Sequence, residues 1–443
     1  MRKLLLVLLV MMVCAPMDAQ HGPGAQTAPG AQTAPGAQTV TLLHFSDYHS
    51  HALPFYSEGR ESQGGIARAI GYMKREKARG ALVFSGGDMI NKGSPAWSDR
   101  YTCAEWPWLN NIVDAMAFGN HEPDYGREPF EQCADRLTYP ILSANAAGFR
   151  RHRIIETNGL RLGVFAVAGD DFPQLVKAPG LVFGDPVAAA RDAVRELRDA
   201  KVDAVVMIGH QTTESDYVLA KAVEGIDVIF GSHSHHKQEL TRIPGTQTWF
   251  ISPSQYLTYI SRLELTVANG RVTSVRGGLV PVDASMREDE EIARKVARMQ
   301  QDLEADPRYR ELFVPLFALP APLTVDALGA RTVRLMRDVA KADVALSTKS
   351  SFRQPLPAGV ITMDTLMGAL PYDNALVACT MRGDELRRVL ASAHAYVAAP
   401  ATIDPARSYR VATTDYAAHV AYKFTCQVED TGLKVRSEVR KGF

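Results

Sequence analysis

Residues able to hold a metal ion or move a proton recur through the first half of the chain in small groups. They are Asp47 with His49, Asp88, Asn120 with His121, His210, and His233 with His235. Each group follows a short apolar run. The densest lies in Ala117-Phe118-Gly119-Asn120-His121-Glu122-Pro123-Asp124-Tyr125-Gly126, where an apolar segment empties into a turn carrying an amide, an imidazole and carboxylates. Singly these pieces are ordinary, because Asn, Asp and Gly are favoured in turns. Their ordered recurrence after five apolar runs makes them a constellation. Imidazoles and carboxylates in company suit zinc, manganese, iron or cobalt better than calcium. With His121 set aside, seven candidate ligands remain, more than one tetrahedral ion uses. Two divalent ions sharing a carboxylate accommodate them. Asp88 is the natural bridge, since the bare Gly86-Gly87-Asp88 turn leaves room on both sides.

The runs that precede these groups, residues 40–45, 81–84, 113–118, 203–208 and 226–230, read as buried strands. Helical spacing marks 66–77, 186–200 and 215–224, and a short helix is expected within 104–111, with Pro107 in its first turn. Residues 139–143, 162–166, 249–251 and 262–267 are strand-like as well. Strands alternating with helices predict an α/β layered domain. Such sheets present ligands at the carboxyl ends of their strands, where the groups above lie.

A length of 443 residues suggests two or three domains, and 46% hydrophobic with 22% charged residues is ordinary for a soluble globular protein. Lysine plus arginine equals aspartate plus glutamate at 49 each, so no overall charge draws the chain to nucleic acid or an anionic membrane. Residues 1–19, a basic start followed by an apolar core, read as a secretory signal, with a lipoprotein anchor on Cys14 disfavoured by Val13. Residues 20–39 contain a Pro-Gly-Ala-Gln-Thr repeat and are expected to be a tether. No later run reaches the ~18 apolar residues that span a bilayer. An exported, periplasmic or secreted protein without stable membrane insertion is expected. Cys103, Cys133, Cys379 and Cys426 remain after the signal. Bridges 103–133 and 379–426 would each stay within one domain, and free buried thiols are the alternative.

Asp47-x-His49, Gly87-Asp88, Gly119-Asn120-His121-Glu122, Gly209-His210 and Gly231-x-His233-x-His235 together resemble the calcineurin-like metallophosphoesterases. Asn120-His121-Glu122-x-Asp124-x-Gly126 and Leu142-Ser143-Ala144-Asn145 narrow the resemblance to the exported bacterial 5′-nucleotidase and UDP-sugar hydrolase group. The resemblance implies a four-layer α/β/β/α catalytic domain over 40–282, a linker helix over 283–308, and a smaller α/β recognition domain over 309–443. It implies one metal on Asp47, His49, Asp88 and His235, and a second on Asp88, Asn120, His210 and His233. His121, oriented by Asp124, becomes the catalytic pair. Two cations would activate a water for attack on phosphorus at neutral pH. His51 and His236 are left outside the site.

The C-terminal part carries Asp343-Val-Ala-Leu, Gly359-Val-Ile-Thr, Pro371-Tyr372-Asp373-Asn374, Gly383-Asp384-Glu385-Leu386 and Tyr409-Arg410-Val411-Ala412-Thr413, which resemble that group's nucleotide-recognition domain. Helices over 325–342 and 383–395 and a strand over 344–346 are expected there. The resemblance implies substrate contacts from Arg353 and Tyr416. Three departures weaken the nucleotide match. Ser347-Thr-Lys-Ser-Ser-Phe-Arg353 lacks the glycines of the family turn. The segment before Tyr409 is too short for the usual strand bearing the first stacking aromatic, and Asp415-Tyr416-Ala-Ala replaces an aromatic followed by Gly-Gly-Asp-Gly. The expected function is a dinuclear phosphoesterase acting on nucleoside 5′-monophosphates. The alternatives are a 2′,3′-cyclic-nucleotide, nucleotide-sugar or generic phosphodiester hydrolase, and a non-catalytic surface protein. The expected partner is a small phosphoester, with no nucleic acid and no protein partner.

Overall fold

Strands that are apolar on both faces must be covered on both faces, and Ala204–Met207 and Leu82–Ser85 are buried throughout. The computed structural model describes residues 36–92, 96–176 and 178–441, and in it these strands lie at the centres of two facing sheets. In spatial order the first six-stranded sheet is Arg271–Pro281, Tyr259–Ala268, Gln38–Phe45, Leu82–Ser85, Ala115–Ala117 and Ile141–Leu142. The second is Lys237–Arg242, Trp249–Pro253, Val228–Phe230, Ala204–Met207, Leu160–Phe165 and His152–Thr157.

The two-residue side-chain period sorts each strand between two cores. Leu42, Phe84, Leu162, Val206 and Phe230 meet between the sheets. Leu43, Phe45 and Val83 face outward onto Ile66–Lys77 and Glu290–Ala305. On the far side Val205, Met207 and Phe250 pack on Pro186–Asp199 and Thr213–Ala222. The layers are therefore α/β/β/α, as expected. Truncating Phe84 or Phe230 to alanine would cost about 3–5 kcal/mol.

Helix starts follow local chemistry. Thr212 accepts from Ser215 N and Asp289 from Ile292 N, each satisfying an orphan first-turn amide. The four-strand cores of both sheets are parallel, from Gln38–Phe45 across to Ile141–Leu142 and from Leu160–Phe165 across to Trp249–Pro253. Parallel direction brings all their carboxyl ends to one rim.

A further five-stranded sheet runs Ala395–Ala398, Val344–Thr348, Ser408–Thr414, Ala375–Arg382 and Glu429–Lys434. Val325–Val339 covers one face through Val333 and Met336, and Gly383–Ser392 covers the other through Leu386.

Several elements differ from the sequence expectation. The helix expected over 383–395 ends at Ser392, and Ala395–Ala398 pairs antiparallel with Val344–Thr348. A short strand therefore does occupy the segment before Tyr409, because sheet pairing outweighs the helical preference of its alanines. Its tyrosine is not a stacking platform: Tyr396 hydrogen-bonds Asp326 at 2.7 Å and meets Phe352 edge-on. Within the linker helix expected over 283–308, Glu290–Ala305 is helical and buries Ile292, Val296 and Leu303 in the first core. Within 104–111 the chain forms the 3₁₀ turn Trp106–Leu109.

Cys103 and Cys133 are bridged, as are Cys379 and Cys426, with Cα separations of 5.9 and 6.0 Å. The expected signal and the repeat up to residue 35 lie outside the described residues, while Gln38 and Thr39 already belong to the first strand. Among the described residues no helix is long and apolar enough to cross a membrane.

Candidate active site

The rim where both sheets end gathers every group singled out above. The loop after Gln38–Phe45 carries Asp47 and His49, and the loop after Leu82–Ser85 carries Asp88. Backbone bonds zip these loops together: Asp47 N to Gly87 O, His49 N to Asp88 O and Ser50 N to Met89 O, each 3.0 Å. Gly87 has a φ of 91°, and a Cβ there would come within 2.8 Å of Ala117 O and Gly119 N, so the turn needs glycine. Asp47, His49, Asp88, His233 and His235 all have left-handed backbone, with φ between 48° and 59°.

Three overlapping sets of side chains could hold a cation: Asp47, His49 and His235; His49, Asp88 and His121; and Asp88, His210 and His233. His235 Nε2 is 3.3 Å from Asp47 Oδ1 and 3.1 Å from His49 Nε2. Asp88 Oδ2 is 3.1 Å from His210 Nε2 and 3.8 Å from His49 Nε2. Asp88 thus belongs to two of the three sets.

Burial and hydrogen bonding test whether a cation fits. His210 Nδ1 donates to Gly86 O at 2.6 Å, which turns the Nε2 lone pair towards the Asp88 carboxylate. Burial opposes a charge on His210, but Asp88 raises its pKa to about 10, so positive charge is called for between the two, from a proton on Nε2 or from a cation in its place. Asn120 Oδ1 and His210 Nε2 are buried without a hydrogen-bond partner. Unpartnered acceptors at such depth are costly. His49 Nδ1 donates to Ile90 O at 3.1 Å and His233 Nε2 to Asp171 Oδ2 at 3.0 Å, each turning its other nitrogen towards the cluster. Oxygen and nitrogen lone pairs converging in this way fit one or more divalent cations.

Burial opposes ionisation of Asp47 and Asp88, but the surrounding histidines outweigh it and hold both carboxyls well below their usual range. Burial likewise opposes a charge on His121, yet Asp88 and then Asp124 raise its pKa to about 10. His121 Nδ1 lies 2.7 Å from Asp124 Oδ2, so Nδ1–H donates to the carboxylate.

Sequence reasoning gave Glu122 no role, although it stands inside the quoted motif. Its carboxylate accepts from Gly119 N at 2.7 Å, Met89 N at 2.7 Å and Asp88 N at 3.1 Å, joining two of the loops. Burial, then the Asp88 charge, lifts its pKa to about 7. Asp171 was also missed, although it follows Leu160–Phe165 as the other groups follow their strands. His51 is half-buried and stacked on Tyr256 at 3.6 Å between ring centres, and His236 Nδ1 lies 3.2 Å from Thr213 Oγ1.

The C-terminal sheet reaches the rim through one segment. Arg353 Nη1 is 2.5 Å from His235 Nδ1, and Nη2 donates to Tyr372 Oη at 3.2 Å. Gln354 Nε2 is 2.6 Å from His51 Nε2, and Gln255 Nε2 donates to Arg353 O at 3.3 Å. Burial, then Arg353, lowers the His235 pKa to about 4. Arg353 is therefore brought to the rim. Tyr416 is 43% exposed, and its backbone N–H is held by Asp415; among the described residues no hydrogen bond or ring contact links it to the rim.

Residues 40–237 match the family model for calcineurin-like phosphoesterases, and residues 321–402 match that for the 5′-nucleotidase C-terminal domain. Protein UshA of Yersinia enterocolitica is 24% identical over 421 residues, covering 80% of this chain and 76% of the relative. The human 5′-nucleotidase is 25% identical over 420 residues, covering 81% and 72% respectively. The crystal structure of a 5′-nucleotidase precursor from Thermus thermophilus superposes with a TM-score of 0.74 at 21% identity, covering 91% of this chain and 96% of that one.

Proposed function

Because the chain belongs to the calcineurin-like phosphoesterases, in their two-domain 5′-nucleotidase form, we propose that it hydrolyses nucleoside 5′-monophosphates or related nucleotides at a pair of divalent cations. The observation that carries this reading is the convergence of unpartnered ligand atoms on Asp88, beside the hydrogen-bonded pair His121 and Asp124. Asp47, His49, Asp88 and His235 would hold one cation, and Asp88, Asn120, His210 and His233 the other. Such a pair, when bound, neutralises charge on the phosphoryl oxygens and lowers the pKa of the attacking water.

The remaining work falls to the chain's own groups. Asp124 accepts from Nδ1–H of His121 and fixes the ring, so that Nε2 can present a proton to the departing ester oxygen. Asp88 Oδ1 accepts from His121 N at 2.9 Å and ties that turn to the shared carboxylate. Arg353 is placed to meet the negative charge of the substrate, and Tyr416 would stack on its base. Export is proposed on the basic and apolar start of the chain, and two disulfides suit an oxidising compartment.

The second reading keeps the reaction and changes the substrate to a nucleotide sugar, a cyclic nucleotide or another phosphodiester. Its motive is the exposure of Tyr416 and the turn Lys349–Ser351, which has no glycine. Purified protein loaded with Mn²⁺ or Zn²⁺ and offered AMP, UDP-glucose, 2′,3′-cAMP and bis-p-nitrophenyl phosphate at equal concentration separates the two. AMP turning over fastest supports the first reading, whereas preference for a diester supports the second. Absence of bound metal together with no turnover of any substrate would leave a scaffold protein.

A further inference from the structure

The five rim histidines do not treat their second nitrogen alike. His49 and His210 each give it to a backbone carbonyl, and His121 and His233 each give it to a carboxylate. All four partners accept, so each ring carries its hydrogen away from the cluster. His235 is the exception. Its Nδ1 faces Arg353 Nη1 at 2.5 Å, and a guanidinium has only N–H groups to offer. Nδ1 must therefore supply the lone pair, and a neutral His235 carries its hydrogen on Nε2. That hydrogen points at His49 Nε2, 3.1 Å away, whose lone pair is free because His49 Nδ1 donates to Ile90 O. Arg353, His235, His49 and Ile90 thus form one directed chain of hydrogen bonds, and both ligand nitrogens of the Asp47 set are used on each other. The Asp88, Asn120, His210 and His233 set has no such occupant, and Asn120 Oδ1 and His210 Nε2 remain without partners.

We infer that the two cation subsites are inequivalent, and that Arg353 acts through His235 as a positioning residue that holds the Asp47–His49–His235 subsite shut. This rests on the two-cation reading. For a cation to take His235 Nε2, its hydrogen must move to Nδ1 through solvent, with no net proton gained or lost. Nδ1–H then has no use for the guanidinium, and Arg353 leaves it. The other subsite has no guanidinium to displace and loads first. By reciprocity, whatever draws Arg353 away favours the second loading step.

Calorimetric titration of the metal-free full chain with Mn²⁺ tests this. Wild type is expected to bind in a tight and a weak step, the weak one being the step that His235→Gln removes. In Arg353→Met the weak step should tighten by about tenfold or more, the scale on which neighbours of metal ligands act. The tight step should not move, which also reports that the variant is folded. Arg353→Lys, which again offers only donors, should keep the wild-type weak step. In long-range ¹H–¹⁵N spectra of metal-free wild type, His235 should be protonated at Nε2. An unchanged weak step in Arg353→Met, both steps shifting together, or Nδ1 protonation in wild type overturns the inference. No binding by either protein overturns the two-cation reading, and the inference with it.

Discussion

The sheet rim and the C-terminal sheet approach the same centre from opposite sides and are built on different terms. At the rim the loops that carry the functional side chains are tied to one another several times over. Asp88 is fixed through its own backbone, through His121 N and through Glu122, and it is 1% exposed. On the other side, the Arg353 side chain is held by one imidazole and one phenol, while its backbone bonds Gln255 and Ala369, and Tyr416 is 43% exposed. On the proposed reading, chemistry falls to the over-determined rim and selection among substrates to the side with fewer side-chain constraints.

The comparison breaks first if His121 is dispensable. His121→Ala is expected to lower kcat by about a hundred- to ten-thousandfold with KM little changed, and steady-state kinetics showing unchanged kcat would remove the rim from the chemistry. The next effect concerns the cost of burying charge beneath the rim. Glu105 is fully buried, and burial, partly offset by the Tyr48 hydroxyl, raises its pKa to about 7. A carboxyl raised in the fold gives its full stability below the unfolded value near 4.5 and loses it as pH rises through about 7. Glu105→Gln should therefore stabilise the protein by up to about 3 kcal/mol at pH 8 and by nothing at pH 4, read from denaturant unfolding at both values. Equal gain at both pH values would show that the carboxyl is not ionising in place.

The smallest expected effect sharpens the other side of the comparison. Tyr416→Ala should raise KM for AMP by the equivalent of about 1 kcal/mol of stacking, and leave KM for p-nitrophenyl phosphate alone. Equal changes for both substrates would mean that no base is read at Tyr416.

What could be read from the sequence follows the same division. The gathering of the rim was legible because each candidate ligand closes an apolar run, and parallel sheets bring those ends together. Glu122 and Asp171 were passed over for a common reason: they serve neighbouring groups, and a carboxylate bonding to backbone amides or to a ligand's far nitrogen leaves no spacing pattern. Arg353 could be placed by motif, but its contact with His235 joins residues 118 apart and depends on how two sheets dock. The edge strands Lys237–Arg242 and Arg271–Pro281 are polar and half exposed, so they lack the apolar alternation that reveals a strand. Ala395–Ala398 was hidden by the helical pattern running into it.

The left-handed backbone at Asp47, His49, Asp88, His233 and His235 has a wider consequence. Non-glycine residues in that region cost on the order of 1 kcal/mol each, less for aspartate. Summed over the cup this rivals the few kcal/mol by which a domain typically stays folded. Random variants selected for thermal robustness alone would drift towards glycine or asparagine at these positions and shed the enzyme while keeping its architecture. Persistence of the set therefore demands a selective pressure for turnover, since folding by itself works against it.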